Sequence, residues 1–357
     1  MITRRERSRG AAVLVFLTIV TLALTTLLVS VLSPNAVLTG RTLENAARLD
    51  EAQVALTGYA LSQQPPGVLP CPDSDGDGLA NPLGAGCVSP LGLLPFRTLN
   101  LARMTDRTGA SFWYGVEPGY MGTAPGVKNS SVTSTVTLDG SVKAAVVLAP
   151  GEPIGSQSRI ALNVNDFLEG QNASAPLNVF SALVDDTHND QVVGTDLGAF
   201  WSDVETVVLA TTADLLAQYR ATCGEFPWAG SFGGPYVSTP GLQAGSVPLD
   251  GALPFNWGSP CPGGSAPVPP AWLVVHWRNQ LYYRMCLAVE GDCVSISGVP
   301  APGVLLAPGV ALAGQVRNTA NPTDYFEGDN VSLPDTVFAR LPRGQHNATY
   351  NDTTRPL

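Results

Sequence analysis

The chain has 357 residues, a net charge of −10 and only 13% charged residues, with 37 glycines and 30 prolines. Its acidic excess disfavours broad electrostatic contact with phosphate backbones or anionic lipid, so no nucleic-acid partner is expected. The length predicts two domains, and the frequent Gly, Pro, Val, Thr and Ser predict short strands joined by turns.

Residues 1–10 form a basic leader, with Arg4, Arg5, Arg7 and Arg9 against Glu6. Residues 11–32, AAVLVFLTIVTLALTTLLVSVL, carry no charge. At about 1.5 Å per residue such a helix spans roughly 33 Å, enough for a hydrocarbon core of about 30 Å. The run is longer than the roughly 7–15 apolar residues of a cleaved signal, and Ser33-Pro34-Asn35 follows it in place of an A-x-A site. A single-pass transmembrane helix is expected, with a cytoplasmic N-terminus and everything beyond it exported.

Pro34 interrupts the helical ladder, after which 33–63 resumes a 3.6-residue pattern through Leu38, Ala46, Leu49, Leu56 and Ala60. Glu44 and Arg48 stand at the favourable i, i+4 spacing on the polar face. The next segment, CPDSDGDGLANPLGAGC, alternates Asp73, Asp75 and Asp77 before Gly78, the start of an oxygen-ligand calcium loop. The twelfth position of such a loop is Gly84 and not a bidentate Glu, so a weak calcium site and a plain Asp/Gly turn stand as equal readings. No other cofactor is implied.

All six cysteines lie beyond the apolar run, where disulfides persist. Proximity pairs Cys71 with Cys87 and Cys223 with Cys261. Cys286 and Cys293 are left, although a two-residue turn at Glu290-Gly291 would hold them diagonally, beyond comfortable reach. No C-x2-C pair occurs, which disfavours zinc.

SFWYGVE from Ser111 reads as a strand. TVTL and SVKAAVVLA around Asp139-Gly140 read as a hairpin, because Asp-Gly supplies the two positive φ angles of a type I′ turn. Residues 203–220 return to helical spacing with an acidic start at Asp203. AWLVVHWRNQLYYR reads as a pair of core strands, with Trp272, Trp277 and Tyr282 as the alternative sugar-stacking surface.

An internal duplication organises the exported part. Tyr59 repeats as Tyr219, Leu94-Pro95-Phe96 as Leu253-Pro254-Phe255, and Ala149-Pro150-Gly151 as Ala307-Pro308-Gly309. Gln157 and Arg159 then match Gln315 and Arg317; the DFLEG run from Asp166 matches DYFEG from Asp324, and Val179-Phe180 matches Val337-Phe338. The register holds without a gap to His188-Asn189, which matches His346-Asn347, while Trp113 corresponds to Trp272 or, with an insertion, to Tyr282. The expected class is α+β: module 1 over 44–202 and module 2 over 203–357, each one helix plus an antiparallel sheet.

The basic leader ending in Gly10, the apolar helix running into an amphipathic one, and the β-rich head together resemble the type IV pilin superfamily. Arg9-Gly10-Ala11-Ala12-Val13 is similar to the starts of minor pilins and of the minor pseudopilins of type II secretion. The resemblance implies a lollipop fold and cleavage between Gly10 and Ala11 by a prepilin peptidase, followed by methylation of the new N-terminus. It also implies other pilin or pseudopilin subunits as partners and anchorage in the bacterial inner membrane, with the bulk periplasmic or on an extracellular filament. Val15 stands where major subunits carry glutamate, and Ala11 where they carry phenylalanine, which points to a tip or initiation subunit. A membrane-anchored exported binding protein or adhesin is the alternative.

Catalytic motifs are absent: there is no G-x-S-x-G, P-loop or H-E-x-x-H. Asp166/Glu169 and Asp324/Glu327 have the make-up of a glycosidase carboxylate pair, yet duplication of the motif favours a backbone role. His188, His276 and His346 stand near no nucleophile motif. No catalytic residue and no enzyme activity are expected.

Overall fold

A computed structural model of the chain describes residues 6–31, 34–84, 86–122, 124–249, 267–317, 319–332, 335–342 and 344–357, with side chains described from 13 to 26 and from 44 onwards. The expected α+β class holds. Helix α1, Glu6–Val31, begins inside the basic leader, and α2, Pro34–Ser62, follows it. Among the described residues no helix is long and apolar enough to cross a membrane.

The buried stripe of α2 is Asn45, Leu49, Ala52, Leu56 and Ala60, a 3.6-residue pattern. Ala46, expected on that stripe, is exposed, and Asn45 takes its place. On the polar face Arg48 and Glu44 pair at 2.9 Å, and Glu44 also binds Arg107 at 2.5 Å, which ties the helix to a loop of the head.

Strands β1, Pro82–Leu83, and β2, Gly86–Cys87, form a small hairpin inside the first disulfide loop. The first main sheet contains β3, Leu91–Leu93; β4, Trp113–Val116; β5, Thr137–Leu138; β6, Ser141–Ala149; β7, Val179–Phe180; and β8, Gln191–Asp196. Its order is β3-β4-β6-β5-β7, with β8 also on β6. Asp139 and Gly140 have φ of 48° and 77°, the expected type I′ turn between β5 and β6.

Strand β8 passes directly into α3, Leu197–Cys223, capped by Asp196, whose Oδ1 accepts the Ala199 N–H at 3.0 Å. The helix therefore starts before the expected Asp203, and the expected module boundary at 202/203 falls inside it. The aromatic segment is a second correction. It folds as a short helix α4, Ala271–Trp277, and only its end enters a strand, because Gln280 and Leu281 pass into β10.

Module 2 has one sheet made of β9, Ala244–Ser246; β10, Tyr282–Met285; β13, Gly303–Ala307; and β15, Thr353–Pro356, in the order β15-β13-β10-β9. A second sheet holds β11, Val294–Ile296; β12, Val299–Ala301; and β14, Val337–Phe338. The repeat is legible in the register. Thr137 and Leu138 face Val179 and Phe180 in parallel, as Ser295 and Ile296 face Val337 and Phe338. Strand β6 corresponds to β12 and β13 together, interrupted at Pro302, which has no N–H for a ladder bond.

Two alignments are settled by pairing. Trp113 opposes Leu148 and Tyr282 opposes Leu306, so Tyr282 is the equivalent of Trp113 and Trp272 is not. Ala149 opposes Gln191 and Ala307 opposes Thr353, which places a four-residue insertion before the last strand. The gap-free match of His188-Asn189 to His346-Asn347 is therefore wrong. His188 corresponds to Tyr350, and Asn189-Asp190 to Asn351-Asp352.

Strand β13 and residues 144–149 of β6 are buried on both faces. One face of each, with Ala145 and Val147 or Leu305 and Ala307, joins α2 and α3 in a core shared by the modules. The other faces form separate cores: Trp113, Phe167 and Phe180 in module 1, and Tyr282, Tyr325 and Phe338 in module 2.

Candidate functional site

The outer face of each sheet is closed by a duplicated polar clamp. In module 1 Gln157 Nε2 donates to Glu169 Oε1 at 2.7 Å, and Glu169 Oε2 accepts the Asn189 N–H at 3.1 Å. Asp190 Oδ2 accepts the Glu169 N–H and Asn172 Nδ2, both at 3.0 Å, while Asn172 Oδ1 accepts the Ser181 N–H at 2.8 Å. Module 2 repeats these bonds. Gln315 donates to Glu327 at 2.6 Å, Glu327 accepts from Asn351, and Asp352 accepts from the Glu327 N–H and from Asn330.

Burial raises the Asp190 carboxyl, and the nearby Glu169 charge adds to the rise. Asp352 is raised for the same two reasons. Two glycines complete the clamp. Gly151 and Gly309 have φ of 74° and 64°, and a Cβ at either would meet the Oδ1 of Asn189 or Asn351 at 2.6 Å. Each asparagine reaches over its glycine to donate to the carbonyl of the next residue, Glu152 or Val310.

This geometry explains why D-x-x-E-G is repeated. Glu169 and Glu327 are bound on both carboxylate oxygens by protein donors, and Glu169 is buried. Asp166 differs from its counterpart. Asp324 Oδ2 accepts the Thr319 hydroxyl at 2.5 Å, but the position equivalent to Thr319 is Ala161, so among the described residues the Asp166 carboxylate has no such partner. The backbone role expected of the motif is therefore filled by Glu169, which accepts the Asn189 N–H, and not by the Asp166 carboxylate. Glu169→Ala should cost about 1–3 kcal/mol, because it leaves buried donors unpaired. Asp166→Ala should stay within about 0.5 kcal/mol. Urea denaturation monitored by tryptophan fluorescence checks both, and equal losses would sink the distinction.

The three aspartates of the 73–77 loop do converge: one ligand atom from each lies within 4.8 Å of the others, and theirs is the only such group among the described residues. Asp73 is buried, and its Oδ1 accepts the N–H groups of Asp75 and Gly76 while Oδ2 accepts that of Gly78 at 2.7 Å. Desolvation raises its carboxyl, opposed by these bonds. Asp75 and Asp77 are exposed, and each accepts an N–H two residues on. The Asp/Gly turn reading thus accounts for each carboxylate without an ion.

Cys71 and Cys87 are bridged, as proximity suggested, with Cα atoms 5.4 Å apart. Cys286 and Cys293 are bridged too, at 5.6 Å. The doubt about this pair assumed a tight hairpin, whereas β10 ends at Met285 and β11 begins at Val294, so the cysteines close an open loop. Cys223 is disulfide-bonded, while its expected partner Cys261 and the Leu253-Pro254-Phe255 block lie outside the described residues.

The histidines serve separate places. His188 Nδ1 lies 3.1 Å from Asp185 on the surface. His276 Nδ1 accepts the Lys128 N–H, joining the two modules. His346 lines a groove of about 570 Å³ beside Ser202 and Asn347, and burial lowers its pKa. No hydrogen bond among the described residues joins His346 to Ser202. Trp277 and Tyr282 are fully buried, which removes them as a stacking surface.

Sequence reasoning missed Glu205 and Asp106. Each binds the N–H of a repeated glycine, Glu205 that of Gly309 at 2.9 Å and Asp106 that of Gly151 at 2.8 Å. They come from unrelated positions, one on α3 and one in a loop, so the repeat pattern could not reveal them. Gly10 and Ala11 lie within α1. The large apolar residues from Val13 to Leu24 are 37–69% exposed. Comparison with family models, with curated proteins and with solved structures returned no match.

Proposed function

We propose that this chain is a structural subunit of the minor pilin or pseudopilin kind, held in the inner membrane by α1 and presenting its double head outside. The observation that carries this reading is the state of α1. A large apolar side chain in water costs roughly 1.5–3 kcal/mol relative to burial, and here a run of them is exposed ahead of a closed head. Such an exposed apolar surface marks a lipid or protein contact.

The polar groups in that run support the same environment. Thr18, Thr21, Thr25 and Thr26 each return their hydroxyl to a helix carbonyl three or four residues back, at 2.8–3.0 Å. A threonine so bonded has no donor left to satisfy, which suits hydrocarbon. The head resembles a carrier more than a catalyst, since its buried carboxylates are engaged by backbone and amide donors. Lacking a glutamate at Val15, the subunit fits a tip or initiation complex better than a repeated shaft.

Cleavage after Gly10 is the test. In cells with an active prepilin peptidase, N-terminal mass mapping should find Ala11 first, carrying an N-methyl group. Retention of Arg9 and Gly10 would overturn the pilin reading and leave an anchored exported binding protein.

A further inference from the structure

Two arginines of module 1 line one cleft without an acidic partner. The cleft, of about 430 Å³, lies between the 103–111 and 159–167 segments, with Leu162 and Phe167 as an apolar wall. Arg103 Nη2 donates to the Ser111 hydroxyl and Arg159 Nη1 to the Thr108 hydroxyl, each at 3.1 Å. Among the described residues neither arginine forms an ion pair. The Nε and Nη2 of Arg159 are buried with no hydrogen-bond partner. Buried guanidinium donors left unmade cost free energy, more so when charged.

The repeat supplies an internal comparison. Arg317, the counterpart of Arg159, donates to the carbonyls of Asp324, Pro308 and Gly309 and is thereby tied down by its own module. Arg159 makes none of these bonds. Its φ is 53°, in the left-handed region, whereas Arg317 has no positive φ. Both guanidinium groups stand over the equivalent ring, Arg159 over Phe167 at 5.6 Å and Arg317 over Tyr325 at 5.1 Å, but Arg159 also lines the cleft.

Asp106 and two acids of the adjoining loop are engaged by other donors. Asp106 Oδ1 accepts from the Thr108 N–H, the Thr108 hydroxyl and the Ala110 N–H, and its Oδ2 from the Gly151 N–H. On the adjoining loop, which contributes Gly76 to the cleft, Asp75 and Asp77 accept backbone N–H groups.

We propose that this cleft binds an oxyanion, a carboxylate or phosphate group borne by a small ligand. The guanidinium fork matches either group. The volume exceeds that of the anionic group alone and leaves room for a sugar-sized body against Leu162 and Phe167. This site is independent of the filament reading, since it requires only the folded head.

Isothermal titration of the full-length chain in detergent, with inorganic phosphate in one arm and glucuronate in the other, tests it. Saturable one-to-one binding is expected in at least one arm, and the arm that saturates names the group. Arg159→Gln and Arg103→Gln should each weaken it at least tenfold while the melting temperature without anion stays near that of the unaltered chain. The two arginines stand on different segments, so one variant that fails to fold leaves the other decisive. Absence of saturation with both anions, or equal affinity in a folded variant, would overturn the site.

Discussion

Trp201→Ala should cost about 3–5 kcal/mol, the range for deleting a buried large aromatic side chain. Trp201 is fully buried near the start of α3, edge-on to Tyr120 at 5.3 Å and Phe200 at 5.2 Å, and 6.0 Å from Trp277 of α4. Its Nε1 donates to the Tyr120 hydroxyl at 3.4 Å. A Cβ on Gly67 would lie 2.8 Å from its ring, so the glycine is part of its packing. These neighbours belong to both modules, and no small shift refills the space. The loss should therefore lower a single unfolding transition of the head. Calorimetry checks this, and two transitions, of which the variant shifts only one, would show that the shared core does not couple the modules.

The second large effect concerns pH. Glu205 is wholly buried on α3, and desolvation pushes its carboxyl up to about 7. Its oxygens accept the Gly309 N–H at 2.9 Å and the Thr353 hydroxyl at 2.7 Å, and these bonds and the Arg317 charge only partly offset the burial. In the unfolded chain the same carboxyl titrates near its ordinary value of 4.5. Between these two values the folded protein holds a proton that the unfolded chain has released. Stability from this group is thus full below about 4.5, falls as pH rises through the window to about 7, and is level above it. The fall is on the order of 3 kcal/mol, at 1.36 kcal/mol per unit.

Glu205→Gln keeps an acceptor for Gly309 and an amide that can donate to the Thr353 hydroxyl, but it cannot ionise. The variant should gain stability relative to the unaltered chain by about that amount between pH 4 and pH 8. Asp190 and Asp352, also raised, contribute equally to both proteins and drop out of the difference. Parallel urea titrations across that range measure it, and a difference independent of pH would show that Glu205 is ionised in the fold.

Local pattern was sufficient wherever the determinant lies within a few residues. Asp139-Gly140 specifies its turn, the spacing of Leu49, Leu56 and Ala60 specifies one face of α2, and Cys71 and Cys87 close their loop. The duplication itself is written in the chain, because equivalent positions in the two folds meet equivalent neighbours. Phe167 and Tyr325 illustrate this: one packs on Trp113 at 5.5 Å, the other on Tyr282 at 5.4 Å.

What only the tertiary structure decided depends on contacts across long separations. The match of His188 to Tyr350 and not to His346 rests on strand register, which a run of identical letters cannot supply when four residues are inserted in a loop. The fate of AWLVVHWRNQLYYR was likewise undecided locally, since a short apolar aromatic run suits helix and strand alike. Packing of Trp277 against Trp201 settles it as helix. The partners of Gly151 and Gly309 could not be read at all: Asp106 lies 45 residues from the one, Glu205 104 from the other, and no period links them. The contrast between Arg159 and Arg317 has the same origin, for two residues that are identical in sequence acquire different work from the backbone that holds them.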